Sequence, residues 1–128
     1  MRRSSVEQYL KTIKSLQERN DRVCTSLIAK RLGIRPSSVS EFCRKLNNKG
    51  YIAWKPYQGA RLTERGKEIA TRVEQRYQAI LRFLILLGVE EDEAIIQACR
   101  LEHEISDDSA ERLQNLIGKI DLVLPPKY

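Results

Sequence analysis

The chain has 128 residues, 41% hydrophobic and 31% charged, with only six glycines and four prolines. That composition suits one compact unit, or two small subdomains sharing a core, and excludes a disordered or repetitive protein. Its three cysteines, Cys24, Cys43 and Cys99, are odd in number, widely spaced and without a CxxC pair. They point to free thiols in a reducing compartment and away from a disulfide framework or a zinc knuckle.

The first predicted helix spans about Ser5 to Arg19, where Val6, Tyr9, Leu10, Ile13 and Leu16 form one apolar stripe at helical spacing. Asn20-Asp21 breaks it. Thr25 or Ser26 is positioned to cap a short second helix whose inner face is Leu27, Ile28 and Leu32, and Gly33 stops it. Pro36-Ser37-Ser38 opens a third helix with Val39, Phe42, Cys43 and Leu46 inward, ending at Asn47 to Gly50. Two short helices joined by a tight glycine-containing turn make a helix-turn-helix. Tyr51 to Trp54 then reads as a strand, Pro56 to Gly59 as a turn and Ala60 to Leu62 as a returning strand, so a β-hairpin wing follows the third helix.

Thr63 caps a long fourth helix, from roughly Glu64 to Leu87, whose second half is apolar on most of its circumference. Such a helix must be buried on nearly all sides, which so small a C-terminal half cannot do alone, and a twofold partner solves the problem. After Gly88 a fifth helix, about Glu91 to Glu104, places Ala94, Ile95, Ala98, Leu101 and Ile105 inward. Ser106 caps a sixth with Leu113, Leu116, Ile117 and Ile120 inward, and Pro125-Pro126 closes the ordered chain. The predicted fold is mainly α with a small β-wing. Residues 1–64 form a winged helix-turn-helix and residues 65–128 an α-helical dimerisation domain.

Charge divides along the same line. Residues 1–64 carry fourteen basic and five acidic side chains, a net +9, whereas the remainder nets −3. One module is suited to a polyanion and the other to protein. Met1-Arg2-Arg3 is not followed by an apolar run, and the most apolar stretch, Ile80 to Val89, holds Arg82 and is too short for a bilayer. These features predict a cytoplasmic protein with no membrane partner.

In a helix-turn-helix the start of the second helix enters the major groove of double-stranded DNA. Here that places Arg35, Pro36, Ser37, Ser38, Ser40, Glu41, Arg44 and Lys45 at the duplex. The serine hydroxyls and free backbone N–H groups suit phosphate oxygens, and Arg44 and Lys45 are assigned to phosphate. Glu41 is read either as an acceptor from a cytosine amino group or as a solvent-facing residue. Lys55, Tyr57 and Arg61 on the wing are assigned to a flanking groove.

Several segments also stand in the order of a known family. They are Ser5 to Leu10, Ile28 to Gly33, Pro36 to Ser40, Leu46 through Tyr51, Gly59 to Thr63, and above all Cys99-Arg100-Leu101-Glu102-His103-Glu104-Ile105-Ser106. Together they resemble the diphtheria-toxin-repressor family of metal-dependent regulators, in its short manganese-responsive form without an SH3-like third domain. The resemblance implies a homodimeric repressor whose DNA-binding arrangement is stabilised by Mn²⁺ or Fe²⁺, with Zn²⁺ a further option. It implies a metal site of Gln8, Cys99, Glu102 and His103, the last three at i, i+3 and i+4 on one helix face.

The chain departs from the family where it carries Gln8, Lys11, Tyr77 and Leu81, so a binuclear site is lost and one mononuclear site remains. Three alternatives stay open at this stage. Glu102 and His103 are a polar pair beside a buried Cys99, with no metal and constitutive DNA binding. Cys99 is a redox thiol. The chain is an architectural binder of DNA without sequence preference. A metalloenzyme is rejected, because the chain has one histidine and neither a nucleophile motif nor a phosphate-binding glycine loop.

Overall fold

A computed structural model describes residues 2–121, with the side chain of residue 121 excepted. Six helices and one hairpin follow each other as α1 (Arg3–Gln17), α2 (Thr25–Leu32), α3 (Pro36–Asn48), β1 (Ile52–Lys55), β2 (Gly59–Leu62), α4 (Glu64–Leu86), α5 (Glu91–Leu101) and α6 (Asp107–Asp121). This is the mainly α winged helix-turn-helix and helical domain expected. Pro125-Pro126 lie outside the described residues. The chain divides into two compact units, Met1–Thr71 and Arg72–Tyr128, with α4 running from one into the other.

In the first unit Leu10 and Ile13 of α1, Ile28 of α2 and Val39, Cys43 and Leu46 of α3 are all fully buried, converging with Ile52 and Ala60 of the wing. Tyr9 stacks on Phe42 with ring centroids 4.2 Å apart. Gly33 ends α2 in the left-handed conformation (φ 69°), and Pro36 opens α3 at a position where its missing N–H costs nothing. The α2 cap differs from expectation: Cys24 stands at the N-cap, while Thr25 and Ser26 are already inside the helix.

β1 and β2 pair antiparallel, with Ile52 opposite Leu62 and Trp54 opposite Ala60, so the buried residues of both strands share one face. Two polar side chains fasten the hairpin to the helices. Asn47 Oδ1 accepts from Trp54 N at 3.0 Å, and Gln17 Oε1 accepts from Leu62 N at 3.1 Å. Val23, just before α2, adds a third rung by exchanging two backbone hydrogen bonds with Ala60, at 2.9 and 2.7 Å. Gly59 permits that approach: a Cβ there would lie 2.7 Å from the Val23 oxygen, on a backbone with φ +81°.

Thr63 caps α4 by accepting from Gly66 N at 3.2 Å. In the second unit Ile80 and Leu84 of α4 pack with Ala94 and Ala98 of α5. Glu90 caps α5 by accepting from Asp92 N and Glu93 N, and Ser106 caps α6 by accepting from Ser109 N at 3.0 Å. Three residues read as inward-facing, Leu27 of α2, Leu101 and Leu116, are instead 38%, 44% and 48% exposed. Leu101 is the last residue of α5, which ends there and not at Glu104. Leu86, Leu87 and Ile96 are also exposed.

Candidate DNA interface and metal centre

The outer face of α3 and the wing together carry the residues read as DNA contacts. Arg35, Pro36, Ser37, Ser38, Glu41, Arg44 and Lys45 are exposed, and Ser40 is half-buried. Arg35 occupies the N-cap of α3 without a side-chain cap bond, which leaves the N–H groups of the first turn for an outside acceptor. Lys55, Tyr57 and Arg61 are exposed on the hairpin, Tyr57 at its tip with φ 65°. Two of these charges have intramolecular partners: Arg61 pairs with Asp21 at 3.2 Å, and Lys45 lies 4.0 Å from Glu41. Such exposed pairs are weak, so a phosphate can displace them.

Arg22 escaped the sequence reading. It lines a cleft of about 480 Å³ between the start of α2, α3 and the wing, together with Cys24, Ser40, Arg44, Trp54 and Gln58. Arg22 sits in the loop before α2, so helical periodicity gave no signal for it.

The four residues of the expected metal site fall in both units. Gln8 is on α1 in the first. In the second, Cys99 is exposed in the last turn of α5, Glu102 is fully buried as the C-cap, and His103 follows in the turn beyond. The helix therefore ends before reaching Glu102 and His103, which α5 was expected to carry. His103 Nε2 lies 3.2 Å from Glu102 Oε1. Cys99 is not the buried thiol that the metal-free alternative assumed. Among the described residues no group of three or more His, Cys, Asp or Glu side chains is disposed to hold a metal ion. The carboxylate–imidazole pair fits a first-row divalent ion, and Cys99 is not gathered with it in this structure.

Arg76 of α4 organises the same turn, and sequence periodicity did not reveal it. It is 2% exposed, donates from Nε to the Glu102 main-chain oxygen at 2.7 Å, and pairs through its terminal nitrogen with Asp107 Oδ1 at 2.6 Å. Next to it, the Tyr77 phenol is pushed above its usual pKa by burial, and further by the charges of Cys99, Glu74 and Glu102. Tyr77 thus lies within electrostatic reach of both Cys99 and Glu102.

Residues 1–60 match the family model of the iron dependent repressor N-terminal DNA binding domain. Residues 63–122 match that of the iron dependent repressor metal binding and dimerisation domain. An uncharacterized HTH-type transcriptional regulator of Methanocaldococcus jannaschii is 39% identical over 117 residues, covering 90% of this chain and 94% of its own. The HTH-type transcriptional regulator MntR of Bacillus subtilis is 33% identical over 113 residues, 88% of this chain and 80% of its own. A manganese-dependent transcriptional repressor solved in complex with manganese superposes with a TM-score of 0.79 at 33% identity, over 88% of this chain. The present chain spans about half the length of that repressor, covering 52% of it. A hypothetical protein from Sulfolobus solfataricus superposes with a TM-score of 0.73 at 27% identity, covering 88% and 87% of the two chains. Matched in both halves, and a third or more identical to regulators along most of its length, the chain belongs to the iron-dependent, or diphtheria-toxin, repressor family of transcriptional regulators.

Proposed function

We propose that the chain is a sequence-specific, homodimeric DNA-binding repressor whose affinity for DNA is raised by one divalent ion, Mn²⁺, Fe²⁺ or Zn²⁺. The observation that carries the metal reading is the buried Glu102 carboxylate set 3.2 Å from the His103 imidazole, in the part of the chain that matches the metal-binding model. Cys99, Glu102 and His103, with Gln8 from the other unit, are the residues that would hold the ion. A bound divalent ion supplies positive charge against the buried carboxylate and the thiol, and its occupancy biases the arrangement of the DNA-binding unit.

DNA contact is assigned to Arg35, Pro36, Ser37, Ser38, Ser40, Glu41, Arg44 and Lys45 of α3 and its cap, and to Lys55, Tyr57 and Arg61 of the wing. The exposed apolar residues Leu86, Leu87, Ile96, Leu101 and Leu116 support a twofold partner on the second unit. We assign residues 1–64 to DNA and residues 65–128 to dimerisation and metal. The protein acts in the cytoplasm and is not an enzyme. No helix among the described residues is long and apolar enough to cross a membrane.

A second reading has its own observation. No three-residue ligand group stands assembled among the described residues. Lys11 and Tyr77, moreover, occupy positions where the family's manganese-responsive members carry ligands. On that reading the chain is a winged-helix regulator that has left metal control.

One titration separates the two. EDTA-stripped, thiol-reduced protein is titrated anaerobically against labelled DNA from upstream of its own gene, with and without Mn²⁺, Fe²⁺ or Zn²⁺. Affinity that rises with one ion supports the metal-controlled repressor. Specific binding indifferent to every ion supports the second reading.

A further inference from the structure

Cys24 differs from the other two thiols in its surroundings. Cys43 is fully buried and its thiol is pushed up to about 12 by desolvation. Cys24 is exposed at the N-cap of α2, with Sγ 3.2 Å from Ser26 Oγ. The Ser26 hydroxyl, and next the Leu27 backbone N–H, hold the thiol below its usual pKa. Its backbone is clamped, because Val23 bonds twice to Ala60 and Gly59 packs against the Val23 carbonyl and the Cys24 nitrogen.

The cleft in front of this thiol has the chemistry of an anion site. Among the described residues Arg22 and Arg44 line it and no carboxylate does. Trp54 forms part of the wall, is more than nine-tenths buried, and its indole N–H has no acceptor among the described residues. The volume, about 480 Å³, is within the range that holds small molecules.

We propose that Cys24 is a site of reversible S-thiolation by a small anionic disulfide, whose carboxylates are received by Arg22 and Arg44. The Cys24 thiolate attacks one sulfur of the disulfide, and the old S–S bond breaks as the new one forms. The other half leaves as a thiolate and takes a proton from water. Cys24 is oxidised and the released half is reduced, so the exchange balances without a further oxidant. Ser40, Arg44 and the wing tip share this cleft, so an adduct there occupies the DNA face and adds negative charge to it. The inhibitory consequence rests on the DNA-binding function proposed above; the thiol chemistry does not.

The test uses the reduced full chain with oxidised glutathione as the probe and cystamine, a cationic disulfide, as its comparison. Peptide mass mapping follows adducts on Cys24, Cys43 and Cys99, and fluorescence anisotropy follows DNA affinity before and after dithiothreitol. Cys24 is expected to be thiolated ahead of Cys43 and Cys99. Oxidised glutathione should outpace cystamine by roughly threefold or more, a preference lost in Arg22→Gln and at high salt. DNA affinity should fall at least about tenfold and return on reduction, whereas Cys24→Ser should keep its affinity throughout. Adducts confined to Cys99, cystamine reacting as fast as glutathione, or full affinity with Cys24 modified would each overturn the proposal. If the untreated protein binds no DNA, the DNA-binding reading has failed, and the mass map still decides on the thiol site.

Discussion

Arg76 Nε reaches the main-chain oxygen of Glu102 across 2.7 Å, tying α4 to the residue that caps α5. Because the guanidinium also pairs with Asp107 at the start of α6, one buried cation joins three helices of the second unit. Replacing it with an apolar residue of similar bulk leaves the Glu102 carbonyl buried without this donor, at a cost of about 1–3 kcal/mol. Arg76→Leu should therefore lower the urea midpoint of the full chain without changing the slope of the transition. An unchanged midpoint would mean that Arg76 is not a structural tie.

His103→Ala tests the metal reading directly. The variant should dimerise as the parent does in sedimentation and lose the metal-dependent gain in DNA affinity, roughly 5–150-fold for a coupling of ordinary size. A gain that survives the substitution removes His103 from the site.

Arg44→Ala separates phosphate contact from base reading. If the guanidinium meets phosphate, binding weakens alike for operator and scrambled DNA, and the salt slope of log K falls by about 1. Weakening confined to one base position would instead make Arg44 a reader of sequence.

Cys43 predicts an alkaline limb of instability. Its thiol is neutral in the fold up to about pH 12, whereas exposure on unfolding returns it to its ordinary value of 9.0. Above pH 9 the unfolded chain gives up this proton and the folded chain keeps it, so unfolding is favoured as pH rises. The stability it confers is whole below pH 9 and is lost between pH 9 and 12, by at most about 1.4 kcal/mol per pH unit. Cys43→Val should flatten that limb in chemical unfolding at pH 8 and pH 10, and an identical limb in both proteins would refute the assignment.

The legible part of the molecule was the part built from local signals. Gly33 and Pro36 bracket the turn between α2 and α3 because a left-handed residue and a fixed φ are each needed there, and few residue types supply them. Apolar periodicity located every helix, but it misjudged where α5 stops. Glu102 caps that helix in right-handed geometry and Glu104 N turns back to Leu101, with no glycine or proline to mark the end. Arg76 was illegible for a different reason. A charged residue on a helix is ordinarily solvated, and only the meeting of α4 with the start of α6, thirty-one residues further on, makes its burial favourable. Cys24 escaped as a cap because cysteine is not among the residues that usually cap helices.

The backbone exchange between Val23 and Ala60 bears on the order in which the first unit assembles. A free two-stranded hairpin is at best marginally stable in water. Here its second strand gains an extra rung from a segment that precedes both helices of the helix-turn-helix. That rung closes a loop containing α2, α3 and β1, whose entropy is recovered only after the helices have docked. The wing is therefore a late arrival in folding, and in native-state hydrogen exchange its amides should open together with those of α2 rather than fray as an independent appendage.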